Sequence, residues 1–189
     1  MTAVALEAPR GTAPEMSMRT CPVPPPHGPA EQTTAGRRAA AEALASAGSA
    51  DRTVPREHGG RPLFPPGFAG SISHAGQLAV AVVVPGAAAV GVDIETAAIT
   101  PRVARFVLRE RERQQMLSPA GRHTARDLFA AKEAAFKALS SLGTLGEFLF
   151  WQIELTHSGG ALTATYRGES VPLWIRSEAA ISFAVAIRR

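Results

Sequence analysis

Val90-Gly-Val-Asp-Ile-Glu95 and Phe129-Ala-Ala-Lys-Glu-Ala-Ala-Phe-Lys-Ala-Leu139 decide how this chain folds. Read as a strand, the first puts successive side chains on opposite faces. Val90, Val92 and Ile94 then face a core, and Gly91, Asp93 and Glu95 share the other face. Read as a helix at about 100° per residue, the second gathers Leu128, Phe129, Ala135, Phe136 and Leu139 into one apolar arc. Lys132 projects into the middle of that arc, and Arg126, Glu133 and Lys137 lie at its polar edge.

Outward from these stretches, a helix is predicted over 37–47, ending before Gly48, and a Gly- and Pro-rich loop over 49–68. Strands follow at 69–73, 78–84 and 89–94, with Pro85-Gly86 as the turn between the last two. A broken helical region covers 101–117 and the main helix 124–140, with Gly143 and Gly146 as punctuation. Further strands are predicted at 150–156, 161–166, 171–176 and 180–187. A helix followed by antiparallel strands, twice over, predicts an α+β fold. It would consist of a pseudo-twofold pair of similar halves, about 31–98 and 99–189, each a helix on a small mostly antiparallel sheet. Residues 1–30 are Pro-rich without an apolar period and are predicted to form a disordered arm.

At 189 residues and 46% apolar composition the chain can bury a sizeable core. Its net charge of +4 suits a nucleotide, a nucleic acid or an acidic protein, although an arginine-rich composition explains the charge equally well. The basic residues are dispersed and no aromatic platform accompanies them, which argues against nucleic acid. A single cysteine, Cys21, leaves no disulfide within the chain. No long apolar run predicts a membrane span and no signal peptide is evident, so a cytoplasmic protein is expected.

The chemistry concentrates in the two opening stretches. The chain has only two lysines, Lys132 and Lys137, against 18 arginines, and they flank Glu133. Lysine is a compact point charge, not interchangeable with arginine near phosphate or a metal. A lysine inside an apolar stripe is costly unless its head meets water or an anion. A bound phosphate would account for Lys132, Glu133 and Lys137 together. On this reading Lys132→Ala leaves stability level or raises it while function falls. Asp93 and Glu95 on one strand face repel unless a cation separates them, although two solvated acids at an exposed strand end are the commoner reading of an isolated Asp-x-Glu. With Glu133 they make an all-oxygen set suited to Mg²⁺, with Mn²⁺ as a substitute. Ser73-His74 sits at a strand end and Arg37 opens the first helix, so these residues could meet a ligand, although a merely structural His74 is at least as common.

Gly91-Val-Asp-Ile-Glu95 followed, 38 residues after Glu95, by Glu133 within Phe129-x-x-Lys-Glu-Ala-x-Phe-Lys-Ala138 resembles the paired signature of 4′-phosphopantetheinyl transferases. Gly36-Arg-Arg-Ala-Ala40 and Gly70-Ser-Ile-Ser-His74 resemble upstream blocks of the subgroup serving siderophore, nonribosomal peptide and polyketide synthases. The resemblance implies a monomer with coenzyme A in a cleft between its halves. It implies that Asp93, Glu95 and Glu133 hold the metal, and that Arg37, Ser73, His74, Asp93, Lys132 and Lys137 contact CoA. Asp93, Glu133 and Lys137 would be catalytic, with Glu133 helping to deprotonate a serine of an apo acyl or peptidyl carrier protein. The products would be holo carrier protein and adenosine 3′,5′-bisphosphate. Two other readings of the same residues are a non-catalytic CoA- or carrier-binding relative and a Mg²⁺-dependent phosphohydrolase.

Overall fold

The computed structural model describes residues 15–140, 150–158 and 161–189. Among these described residues the fold is α+β, with two antiparallel sheets and no closed barrel. The first half comprises β1 (Ser17–Pro22), α1 (Pro29–Ser46), β2 (Phe68–Ala75) and β3 (Leu78–Pro85). The second comprises β4 (Ala89–Glu95), α2 (Pro101–Val107), α3 (Glu110–Met116), α4 (Ala125–Leu139), a 3₁₀ turn (Phe150–Gln152) and strands β5 (Glu154–Ser158), β6 (Ala161–Tyr166), β7 (Glu169–Ser177) and β8 (Ser182–Arg188). The strand orders are β1-β3-β2 and β4-β8-β7-β6-β5.

Alternation along buried strands builds four layers. On β3, Ala79, Ala81 and Val83 pack on α1, against Ala39, Ala40, Ala43 and Leu44. The intervening Val80, Val82 and Val84 pack on Val90, Val92 and Ile94 of β4 and Phe183, Val185 and Ile187 of β8. The opposite face of β8, Ala184 and Ala186, packs on α4. Small residues face each helix and larger ones fill the space between the sheets, so helices approach closely while the sheets stay apart.

Helix α4 begins at the N-cap Thr124, whose Oγ1 accepts from Asp127 N at 3.1 Å while Asp127 Oδ2 accepts from Thr124 N at 2.8 Å. This reciprocal pair satisfies two of the donors that a helix start leaves open. The helix then lies on β4 at Gly91. A Cβ there would come within 1.8 Å of Ala134 O.

Three expectations change. Residues 17–22 are not a disordered arm but a strand, paired antiparallel with β3 from Ser17↔Val83 to Pro22↔Leu78. Cys21 and Val23 join the core beneath α1. The segment is short and ends in proline, so its alternation spans too few residues to register as a period. Residues 1–14 of the expected arm, and the punctuation at Gly143 and Gly146, lie outside the described residues. Helix α1 starts eight residues earlier than predicted, with Pro29 in its first turn, where the missing N–H costs nothing. The boundary between halves falls before β4 rather than near residue 98, because β4 pairs in register with β8 from Ala89↔Arg188 to Glu95↔Ser182.

Gly91→Ala is expected to destabilise the protein by about 3 kcal/mol, since the new methyl meets backbone that cannot move without shifting α4. Chemical denaturation of the variant against the parent measures this, and a loss under about 0.5 kcal/mol would contradict the packing.

Candidate active site

The site lies where β2, β4 and α4 meet. β2 and β4 are edge strands of different sheets, and serine hydroxyls on β2 complete the bonding of β4. Ser71 Oγ accepts from Val92 N at 3.1 Å and Ser73 Oγ accepts from Ile94 N at 3.4 Å. Buried backbone donors are thereby paired without a continuous ladder.

Asp93 is buried on the α4 side of β4. Its Oδ1 accepts from Ser73 Oγ at 2.8 Å and from Lys137 Nζ at 2.7 Å. Lys137 Nζ also donates to Val92 O at 2.9 Å. Asp93 Oδ2 is buried with no hydrogen-bond partner. Glu95 and Glu133, both half-buried, stand close enough to interact. Burial, then Asp93 and Glu133, push the Glu95 carboxyl up to about 7, against the pull of Lys137 and Arg126. Burial and then Asp93 raise Glu133, with Lys137 opposing. Three carboxylates thus crowd around one lysine, and negative charge is in excess.

Among the described residues no three His, Cys, Asp or Glu side chains are already drawn together at metal-binding distance. The donor chemistry nevertheless fits a hard divalent cation. A buried carboxylate oxygen without a partner costs about 1–3 kcal/mol or more, and the crowding that raises Glu95 and Glu133 is the repulsion a cation would relieve. Asp93 Oδ2, Glu95 and Glu133 are the groups that could hold it.

Next to the carboxylates, successive residues of β2 face opposite ways. Ser73 reaches Asp93, while His74 is exposed and lines an open pocket of about 160 Å³ with Arg37, Arg56, Gln32 and Thr33. Arg56 Nη2 is steadied by Thr33 Oγ1 at 3.1 Å. Arg38 turns away from the pocket and pairs with Glu42 at 3.2 Å. Arg61 of the same loop donates to Ser140 O at 3.3 Å, tying the loop to the end of α4. The structure therefore brings together Asp93, Glu95, Glu133, Lys137 and Ser73, and separately Arg37 and His74.

Two expected CoA contacts have protein partners in the structure. Ser73 is buried, and its single proton is already given to Asp93. Lys132 is fully buried on the far side of α4. Its Nζ donates to Val107 O at 2.8 Å and Ile153 O at 2.9 Å and pairs with Glu112 Oε2 at 2.8 Å. Burial pulls the Lys132 ammonium below its ordinary value, and Glu112 opposes that pull. Glu112 in turn accepts from Leu155 N at 2.7 Å and from Arg109 N at 2.8 Å. The anion that Lys132 needs is this buried glutamate, supplied from α3.

Sequence reasoning missed Glu112, which reads as one of several charges in Arg109-Glu-Arg-Glu-Arg113. It also missed the exposed pair Phe106 and Trp151, whose ring centroids lie 5.8 Å apart, and the stacked rings of His123 and His157 at 5.5 Å. These pairs are far apart in the chain, so no local signal could have found them.

Two α+β halves meet at a cluster of carboxylates and one lysine, beside a pocket lined by arginine and histidine. The family model of the 4′-phosphopantetheinyl transferase N-terminal domain matches residues 31–84, and that of the 4′-phosphopantetheinyl transferase superfamily matches residues 89–187. The chain belongs to the 4′-phosphopantetheinyl transferase superfamily, whose members take phosphopantetheine from CoA, use a divalent metal as a rule and act on carrier proteins. No curated protein sequence matches the chain.

Two outcomes follow from this geometry. Lys132→Ala leaves Glu112 as an unpaired buried charge, so a stability loss of about 3–5 kcal/mol is expected in denaturant titration, where the sequence alone suggested none. A loss below about 1 kcal/mol would contradict the pairing. The second outcome concerns pH. Folding raises Glu95 from its ordinary 4.5 to about 7, so the stabilisation from its proton is fully present below pH 4.5 and is lost as pH rises through 7. The thermal midpoint in EDTA should therefore fall from pH 5 to pH 8, and Glu95→Gln should flatten that fall.

Proposed function

We propose that the chain is a holo-carrier-protein synthase of the subgroup serving siderophore, nonribosomal peptide or polyketide synthases. It would transfer 4′-phosphopantetheine from CoA to a carrier serine with Mg²⁺, or Mn²⁺, as the ion. The observation that carries this reading is Asp93, with one oxygen saturated by Ser73 and Lys137 and the other buried without a partner, beside Glu95 and Glu133. Support for the subgroup comes from the upstream blocks around Arg37 and His74, which line one pocket. Because one chain supplies both halves of the site, the enzyme is taken to act as a monomer.

In this reading Arg37 and His74, with Arg56 beside them, bind phosphate of CoA in the open pocket. Lys137, anchored on Val92 O and Asp93, presents positive charge to the pyrophosphate. A divalent ion held by Asp93, Glu95 and Glu133 would neutralise charge building on the pyrophosphate oxygens. Glu133, half-buried one turn before Lys137 on α4, would be the proton acceptor. It takes the proton of the carrier serine as the serine oxygen bonds to the phosphorus of phosphopantetheine. The bond from that phosphorus to the bridging oxygen breaks, and adenosine 3′,5′-bisphosphate leaves with the electron pair.

The carrier would dock on the exposed aromatic pair. Phe106 is 70% exposed and Trp151 47%, and the α2 surface around them carries the exposed Arg102, Val103 and Arg105. Helix α2 begins six residues after Glu95 in the chain. An apolar centre with an arginine rim fits an acidic partner with a small apolar face, and aromatic anchors of this kind dominate binding energy.

Mass spectrometry of an apo carrier incubated with the protein, CoA and Mg²⁺ tests the reading. One phosphopantetheine should be added per carrier serine, EDTA should abolish the addition, and Mg²⁺ or Mn²⁺ should restore it. Phe106→Ala should raise KM for the carrier about tenfold while leaving KM for CoA unchanged. No addition to any carrier tried, or full addition in chelator, would contradict the proposal.

A further inference from the structure

Ser73 lies in the upstream block whose resemblance marks it as a CoA contact, yet its bonding assigns it elsewhere. A serine hydroxyl has one proton to give and two lone pairs to accept with. The proton goes to Asp93 Oδ1 at 2.8 Å, and a lone pair takes Ile94 N–H at 3.4 Å. The side chain is buried, so it has neither a free donor nor a path to a phosphate in the pocket that His74 lines.

Asp93 shows the consequence. Ser73 and Lys137 both donate to Oδ1, at 2.8 and 2.7 Å, and neither touches Oδ2. Two donors converging on one oxygen from different elements fix the rotation of the carboxylate. Ser73 approaches from β2 and Lys137 from α4. Without the β2 donor, Lys137 alone would hold the group, and the carboxylate could turn to share both oxygens with the ammonium.

We propose that Ser73 is a positioning residue for the divalent ion: by occupying Asp93 Oδ1 together with Lys137, it commits Oδ2 to the metal. The inference uses the proposed metal site, and it needs no turnover to be tested. It makes the first half of the chain a contributor to metal affinity, although none of the three carboxylates comes from that half. Removing outer-shell partners of this kind lowers metal affinity by about 10–100-fold.

The test is Mn²⁺ binding by electron paramagnetic resonance on the full chain, alongside calorimetric CoA binding without metal. Ser73→Ala, and the near-isosteric Ser73→Cys, should weaken Mn²⁺ binding about tenfold or more while changing metal-free CoA affinity less than twofold. Ser71→Ala is the control. It removes the acceptor for Val92 N–H at the same joint but leaves Asp93 untouched, and it should bind Mn²⁺ as the parent does. Raising Mn²⁺ should restore turnover in Ser73→Ala with KM for CoA unchanged. The proposal is overturned by unchanged Mn²⁺ affinity in both Ser73 variants, by weakened metal-free CoA binding, by equal weakening in Ser71→Ala, or by a parent that binds no Mn²⁺. Failure of the transferase reading would appear differently, as a parent that binds Mn²⁺ in this pattern and transfers nothing.

Discussion

The site depends on how closely α4 approaches β4. At Gly91 the helix backbone lies so near the strand that a methyl would come within 1.8 Å of Ala134 O. Only glycine permits that approach. With the helix seated there, Lys137 in its last turn reaches Val92 O and Asp93 on the strand. Glu133, one turn earlier, comes near enough to Asp93 and Glu95 to raise their mutual repulsion. Any outward shift of α4 would lengthen the Lys137 contacts and separate the carboxylates. The glycine, the lysine and the three acids therefore form one construction, and the signature stretches are its two sides.

The back of the same helix answers a different requirement. Lys132 gives its three protons to Val107 O, Ile153 O and Glu112, and so ties α4 to the ends of α2 and the 3₁₀ turn and to the start of α3. These are the segments that carry Phe106 and Trp151. A forked guanidinium is too wide for three converging acceptors in a fully buried space, whereas an ammonium fits. The scarcity of lysine in this chain was thus informative, for a broader reason than phosphate. Both lysines are kept where a compact cation must serve several acceptors at once, one in the core and one at the site.

Much of this was legible in the residues. The alternation of Val90, Val92 and Ile94 against Gly91, Asp93 and Glu95 is what the structure contains, as is the apolar arc of α4. Paired motifs and strand periodicity were sufficient because each lies within a few residues. Partners far apart in the chain were not legible. Lys132 needed Glu112 from α3, 20 residues earlier, to be understood. Ser73 looked like a ligand contact because nothing local reveals that Asp93 lies behind it. Strand β1 was hidden by prolines and shortness, and it holds its place by pairing with β3, 56 to 66 residues later.

The most direct measurement is an anomalous difference map from crystals of the protein with CoA and Mn²⁺. One Mn²⁺ peak should lie among Asp93, Glu95 and Glu133, with Asp93 coordinating through Oδ2 and Ser73 still on Oδ1. Lys137 should face the pyrophosphate and Lys132 should remain on Glu112. A peak away from these carboxylates, or Lys132 turned out to meet phosphate, would contradict the account.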